Sequence, residues 1–113
     1  MKYPVVLRME NFPPRPFGGI SLCGIIIFRR DVRASSADIR HELIHFRQQC
    51  EWLFVGFFVI YVLEFAYHLF RLRRWMRAYH AISFEREAYR HQYDSHYLSH
   101  RPLWANFRKS YNP

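Results

Sequence analysis

The sequence predicts a mainly α-helical domain of about three helices, with one N-terminal strand or hairpin beside the first of them. No proline occurs between Ser35 and Pro102, so that whole stretch is free to be helical. The only strong run of β-branched residues, Ile20 to Phe28, lies ahead of it. At 113 residues there is room for one modest core, so residues 1–113 are expected to form a single domain.

Taking the elements in order, residues 11–19, NFPPRPFGG, hold three prolines and two glycines and can only be loop or extended backbone. Regular structure is expected to start after them. Ile20–Phe28, interrupted by Gly24 and closed by Arg29 and Arg30, reads as a strand or short hairpin. Ser35 and Ser36 offer N-caps and Asp38 suits a first turn, which starts a helix running from about 36 to the low 50s. Gly56 is the sole weak point before a second helix that continues to about 77, so a single long helix is the alternative, and a third is expected from about 83 to 98. The chain end from Ser99 onward, polar and aromatic, reads as a packed tail.

Half of the residues are apolar and 19% aromatic, a composition that excludes a disordered chain. No repeat of solenoid length is present. The N-terminus has no continuous apolar run before its prolines, so a signal peptide is not expected and a cytoplasmic location is the default. Cys23 and Cys50 lie far apart with no C-x-x-C spacing, and both read as buried thiols. The formal charge of +8, almost all from arginine, favours anionic partners without choosing among them.

Within the first predicted helix stands His41-Glu42-Leu43-Ile44-His45, an H-E-x-x-H motif. At about 100° per residue the two histidines sit roughly 40° apart and one turn apart in height, so both imidazoles can reach one ion. Glu42 then points toward the remaining coordination position. This combination suits metal-assisted hydrolysis: zinc acidifies a bound water and polarises a carbonyl, while the glutamate moves the proton. With this chain's own His and Glu content the pattern would arise by chance in about one such chain in fifty, so it outweighs a reading as ordinary core or surface histidines.

Catalytic zinc normally takes three protein ligands and keeps one open position, so a third ligand is required. The segment Phe84-Glu85-Arg86-Glu87-Ala88-Tyr89 is the best source. Glu85 and Glu87 lie about 200° apart on a helix, so only one can face the metal. Glu85 shares its face with Ala88 and Tyr89, and the small alanine permits close approach; Glu87, with Arg90 and His91 one turn on, reads as a solvated ion-paired face.

HELIH followed by EREAY resembles the gluzincin metallopeptidases, whose third ligand is a glutamate three residues before an alanine on a second helix. The small size is similar to the minigluzincins, and HELIHFRQQ with FEREAY resembles short bacterial proteins of the same type. The resemblance covers residues 41–49 and 84–89. It implies a minimal zincin-like fold, zinc as cofactor, Glu85 as third ligand, Glu42 as catalytic base, and a peptide or protein as substrate. Many gluzincins follow the alanine with Asp or Asn, where this chain has Tyr89.

Other side chains compete for these roles. Glu64 and His68, i and i+4 in the apolar stretch, could supply a ligand but read better as a buried Glu–His or Glu–Arg pair. His96 and His100 share the same spacing, and an ordinary surface role outweighs a second metal. Tyr79, His80 and Tyr89 are the nearest groups that could stabilise an oxyanion, with packing the more ordinary role.

Residues 52–70 hold only two clearly polar positions, Glu64 and His68, and are followed by Arg71, Arg73, Arg74 and Arg77, as in a marginal transmembrane segment with a basic flank. A span would place His45 and Glu85 on opposite sides of about 30 Å of hydrocarbon. A helix buried in the protein is therefore expected, with peripheral membrane contact through the aromatic residues and arginines as the alternative. Two rival functions remain: a zinc-stabilised domain without catalysis, and a basic module for a membrane surface or nucleic acid centred on the same arginines and Trp75. No recognised nucleic-acid motif is present, so nucleic acid is not an expected partner.

Overall fold

The computed structural model describes residues 5–22 and 24–108. It is mainly helical, with a small sheet at the N-terminus. Three strands, β1 (Val5–Met9), β2 (Gly19–Leu22) and β3 (Ile25–Arg29), precede five helices: α1 (Ser36–Glu51), α2 (Val55–Leu72), α3 (Trp75–Ala81), α4 (Ser83–His91) and α5 (Tyr97–His100). A short 3-10 turn, Ala105–Phe107, follows.

The run Ile20–Phe28 is a hairpin, with Ser21 opposite Ile26 and Ile20 opposite Ile27. β3 is the central strand because its Ile26, Ile27 and Phe28 are all buried. Regular structure does not wait until residue 19, however: β1 pairs in parallel with β3 on the other side. Its side chains are mostly exposed, so it shows no apolar alternation from which a strand could be read. β2 is left on the edge that packs against α1.

α1 starts where its caps predict. Ser35 Oγ accepts from the Asp38 N–H at 3.1 Å and Asp38 accepts from the Ser35 N–H at 2.9 Å, a reciprocal box that satisfies two otherwise orphaned donors. The helix ends before Gly56, because Leu53 and Phe54 take positive φ values of 55° and 60° and redirect the chain into α2.

The second and third predicted helices are each divided. Arg73, in the left-handed conformation, ends α2, and α3 folds back along it. α4 stops at His91, and a turn separates it from α5. Neither boundary carries a proline or glycine, which is why periodicity alone ran through them.

α2 is not buried in the protein as expected: Phe57 is its only buried residue. By length and composition it is apolar enough to cross a membrane. Cys50 is exposed on α1, not buried, since its helix face turns away from the sheet and α4; Cys23 lies outside the described residues. The tail packs as expected through Arg101, Ala105 and Asn106, all buried.

Candidate metal centre

The site is built where α1 crosses α4. His41 and His45 stand one turn apart on the buried face of α1, and Glu85 comes from the first turn of α4. The two Nε2 atoms are 3.2 Å apart, and Glu85 Oε1 lies 3.2 Å from that of His41 and 3.1 Å from that of His45. Among the described residues this is the one group of three or more such side chains close enough to hold a metal ion. All three are buried.

The protonation pattern of the rings can be derived. The Gln48 side-chain N–H donates to the Phe84 carbonyl at 3.0 Å and to Glu87 Oε1 at 3.0 Å, so its oxygen must be the atom facing His45. That oxygen lies 2.7 Å from His45 Nδ1, which therefore carries the proton and donates it. Gln92 Oε1 stands in the same relation to His41 Nδ1, also at 2.7 Å. With Nδ1 engaged on both rings, both Nε2 lone pairs point at the Glu85 carboxylate.

Three electron-rich atoms converging at this distance need a cation between them. Zinc bonded tetrahedrally to nitrogen and oxygen at about 2.0–2.1 Å separates its ligand atoms by roughly 3.3 Å, close to the spacing found here. Without a metal, a proton must serve. Burial disfavours a charged His45, but the Glu85 carboxylate outweighs it and pushes the His45 pKa up to about 9. Glu85 is in turn held well below the usual carboxylate range: burial opposes its charge, and His45 and His41 more than compensate. The donor set of two imidazoles and one carboxylate thus fits a divalent ion such as zinc.

Glu42 is buried beside the two histidines, and burial pushes its carboxyl pKa up, partly offset by His45 and His41. A cavity of about 440 Å³ opens at the site, lined by His41, Glu42, His45 and Glu85 on one wall and by β2, Phe57, Phe58, Phe65 and Trp75 on the others. A smaller one of about 190 Å³ shares His41, Glu42 and Tyr79 with it and has Tyr89 in its wall. β2 has to run close here. A side chain at Gly19 would meet the Phe28 ring at 2.7 Å and lie 3.5 Å from Glu42 Oε2.

Of the groups weighed in the sequence, Glu85 faces the site and Ala88 packs in the α1–α4 contact with Ile44 and Tyr97. The Tyr89 ring sits edge-on against His41, 4.4 Å between centroids, and its hydroxyl is 3.3 Å from that of Tyr79. His80 is exposed and lies tilted against the Tyr89 ring, 4.8 Å between centroids. Among the described residues Glu64 makes no Glu–His or Glu–Arg ion pair; both its oxygens accept from Ser83, backbone N–H and hydroxyl, at 2.7 Å, capping α4 from outside. His68 instead accepts from Arg71. His96 and His100 are exposed and do not join a metal group.

The reading of Glu87 as a solvated residue is overturned. It is fully buried, accepting from Gln48, from the Tyr97 hydroxyl at 2.7 Å and from Arg101. Arg101 also donates to both oxygens of Glu51. The tail folds over that face of α4, so charged neighbours on the same helix did not indicate solvent.

Three residues that support the ligands are not singled out by the sequence. Tyr61 donates its hydroxyl to Glu85 Oε2 at 2.7 Å, and its own pKa is pushed up by burial and by that carboxylate. Gln48 sits at i+3 from His45, a spacing that marks a shared helix face and could have identified it. Nothing in the sequence pointed to Gln92.

Compared with known proteins, the chain matches no family model, no curated protein and no solved structure.

Proposed function

We propose that this chain is a small zinc metallopeptidase, with His41, His45 and Glu85 as ligands and Glu42 as general base. The observation that carries the reading is the convergence of His41 Nε2, His45 Nε2 and Glu85 Oε1 within about 3.2 Å, next to a buried carboxylate at the wall of a cavity. The likeness of HELIH and EREAY to the gluzincins supports it further.

When bound, zinc supplies a Lewis acid that makes a water nucleophilic at neutral pH and polarises a carbonyl. The chain's own groups do the rest. Gln48 and Gln92 orient the imidazoles, and Tyr61 fixes the Glu85 carboxylate. Glu42, its basicity raised by burial, accepts the water's proton and passes it to the leaving amine. Tyr79 lines both cavities, so its hydroxyl can donate to the developing oxyanion, with the Tyr89 hydroxyl 3.3 Å from it in the wall of the smaller one.

β2 offers the substrate a template. Gly18 accepts from Arg29 across the hairpin, so by alternation the peptide groups of Gly19 and Ser21 point away from β3, toward the edge beside α1. The Ser21 carbonyl is held by Gln49 at 2.7 Å. An extended peptide laid along Gly19 would run past Glu42, with apolar side chains entering the larger cavity.

The test is metal content beside turnover of a quenched-fluorescence peptide library rich in apolar residues. The purified chain should carry one zinc and cleave the library. Glu42→Gln should keep the zinc and lose the cleavage, since the amide keeps the shape but cannot accept a proton. His41→Ala and His45→Ala should lose both. Turnover that survives Glu42→Gln rejects the peptidase assignment, and zinc bound without any turnover leaves a metal-stabilised domain.

A further inference from the structure

α2 is amphipathic in the reverse sense to a helix on the surface of a water-exposed domain. Val55, Val59, Val62, Leu63, Tyr67 and Phe70 all face outward, within an arc of roughly 140° at 100° per residue. Phe70 is 80% exposed, Val55 73% and Leu63 64%. The two polar residues in the middle of the helix lie on the opposite side: Glu64 turns inward to cap Ser83, and His68 is half-buried; Arg71, in the last turn, is exposed. A helix that turns its central polar side chains inward and its apolar ones outward has no reason to present that stripe to water.

Basic charge stands next to this stripe. Arg71, Arg73, Arg74 and Arg77 are all exposed where α2 turns into α3, and Trp75 among them is half exposed. The Arg71 guanidinium lies 6.0 Å from the Tyr67 ring and that of Arg73 6.0 Å from the Phe70 ring. Apolar stripe and cationic cluster therefore form one continuous surface.

We propose that this surface docks the protein on an anionic lipid bilayer, with α2 lying in the plane of the interface. The stripe enters the acyl boundary while the arginines hold phosphate headgroups. Perpendicular insertion is excluded by Glu64: by gripping Ser83 halfway along α2 it fixes the start of α4, and a span would carry the exposed Arg86 toward the bilayer centre. Phe58 and Phe65, half-buried beside the stripe, also line the larger cavity, so docking brings the metal site's cavity to within one side chain of the lipid. The proposal stands independently of the hydrolytic reading.

Flotation of the full chain decides it, using vesicles of phosphatidylcholine alone and of phosphatidylcholine with phosphatidylglycerol at about three to one. The chain should float with the anionic vesicles, and brominated lipid should quench its tryptophan fluorescence. Leu63→Ser combined with Phe70→Ser should weaken binding at least about tenfold without changing metal content, as both side chains are exposed. Arg73→Gln with Arg74→Gln should weaken it about as much, on anionic vesicles only. Absence of flotation, or binding indifferent to the Leu63 and Phe70 changes, overturns the proposal. So does a dimer in sedimentation that the same changes dissociate without any vesicle binding, which would make the stripe a contact between two copies.

Discussion

Gln48 accepts the Nδ1 proton of His45 at 2.7 Å while its own amide N–H donates to Glu87, so one side chain couples the metal centre to the buried Glu87–Arg101 pair. Replacing Gln48 by Leu removes the acceptor and frees the ring to rotate or change tautomer. Zinc affinity should fall by about 10–100-fold with all three ligands still in place, as is usual for partners that orient a metal-bound histidine. A competition titration against a chromophoric chelator measures this, and an unchanged affinity would mean the ring is held by packing alone.

Glu85→Gln and Glu87→Gln should separate metal binding from folding. The first removes a ligand and should abolish most zinc affinity. The second leaves the ligands intact but breaks a fully buried ion pair, leaving Arg101 only its contact with Glu51. The cost should be about 3 kcal/mol, far above the ~0.5 kcal/mol of a surface pair. Urea unfolding of the metal-free proteins reads the second effect; a Glu87→Gln midpoint within error of the parent would contradict the buried network.

Metal uptake should release a proton at neutral pH. In the metal-free chain the His45 pKa is raised from 6.5 to about 9, so at pH 7 the ring is charged and must lose one proton before Nε2 can coordinate. Calorimetric zinc titrations in buffers of different ionisation enthalpy should show about one proton released per ion at pH 7 and a declining number toward pH 9.

The same pair sets the acid and base limits of the metal-free fold. A raised His45 pKa contributes stability that is complete below its unfolded value of 6.5 and is lost as pH rises toward about 9. A lowered Glu85 pKa contributes stability present above its ordinary 4.5 and lost as pH falls below it. Metal-free stability should therefore peak between about pH 4.5 and 6.5, and zinc should move that optimum upward. Thermal melts across pH with and without chelator test this; a metal-free optimum at or above pH 8 would show that the His45–Glu85 contact does not stabilise the fold.

How far the sequence could be read follows from the range of each interaction. The helix start at Ser35 or Ser36 with Asp38 in its first turn, the shared face of His41 and His45, and the choice of Glu85 over Glu87 as the group facing them all rest on spacings within one helix. The helical period decides such relations before any tertiary contact forms. The hairpin at Ile20–Phe28 was legible for a similar reason, through its β-branched run and the glycine at its turn.

Everything that needed a partner distant in sequence was decided by the tertiary structure. Glu87 looks solvated beside Arg90 and His91 until Arg101, fourteen residues away, folds over it. Gln92 reaches His41 across fifty-one residues, and β1 is a strand only because β3 supplies its hydrogen bonds. α2 shows the limit most directly. Its composition could not say which side faces the protein, because burial depends on what lies opposite. Only the packing of α3 and α4 onto the Phe57–Tyr61–Glu64 side left the valines, Leu63 and Phe70 facing outward.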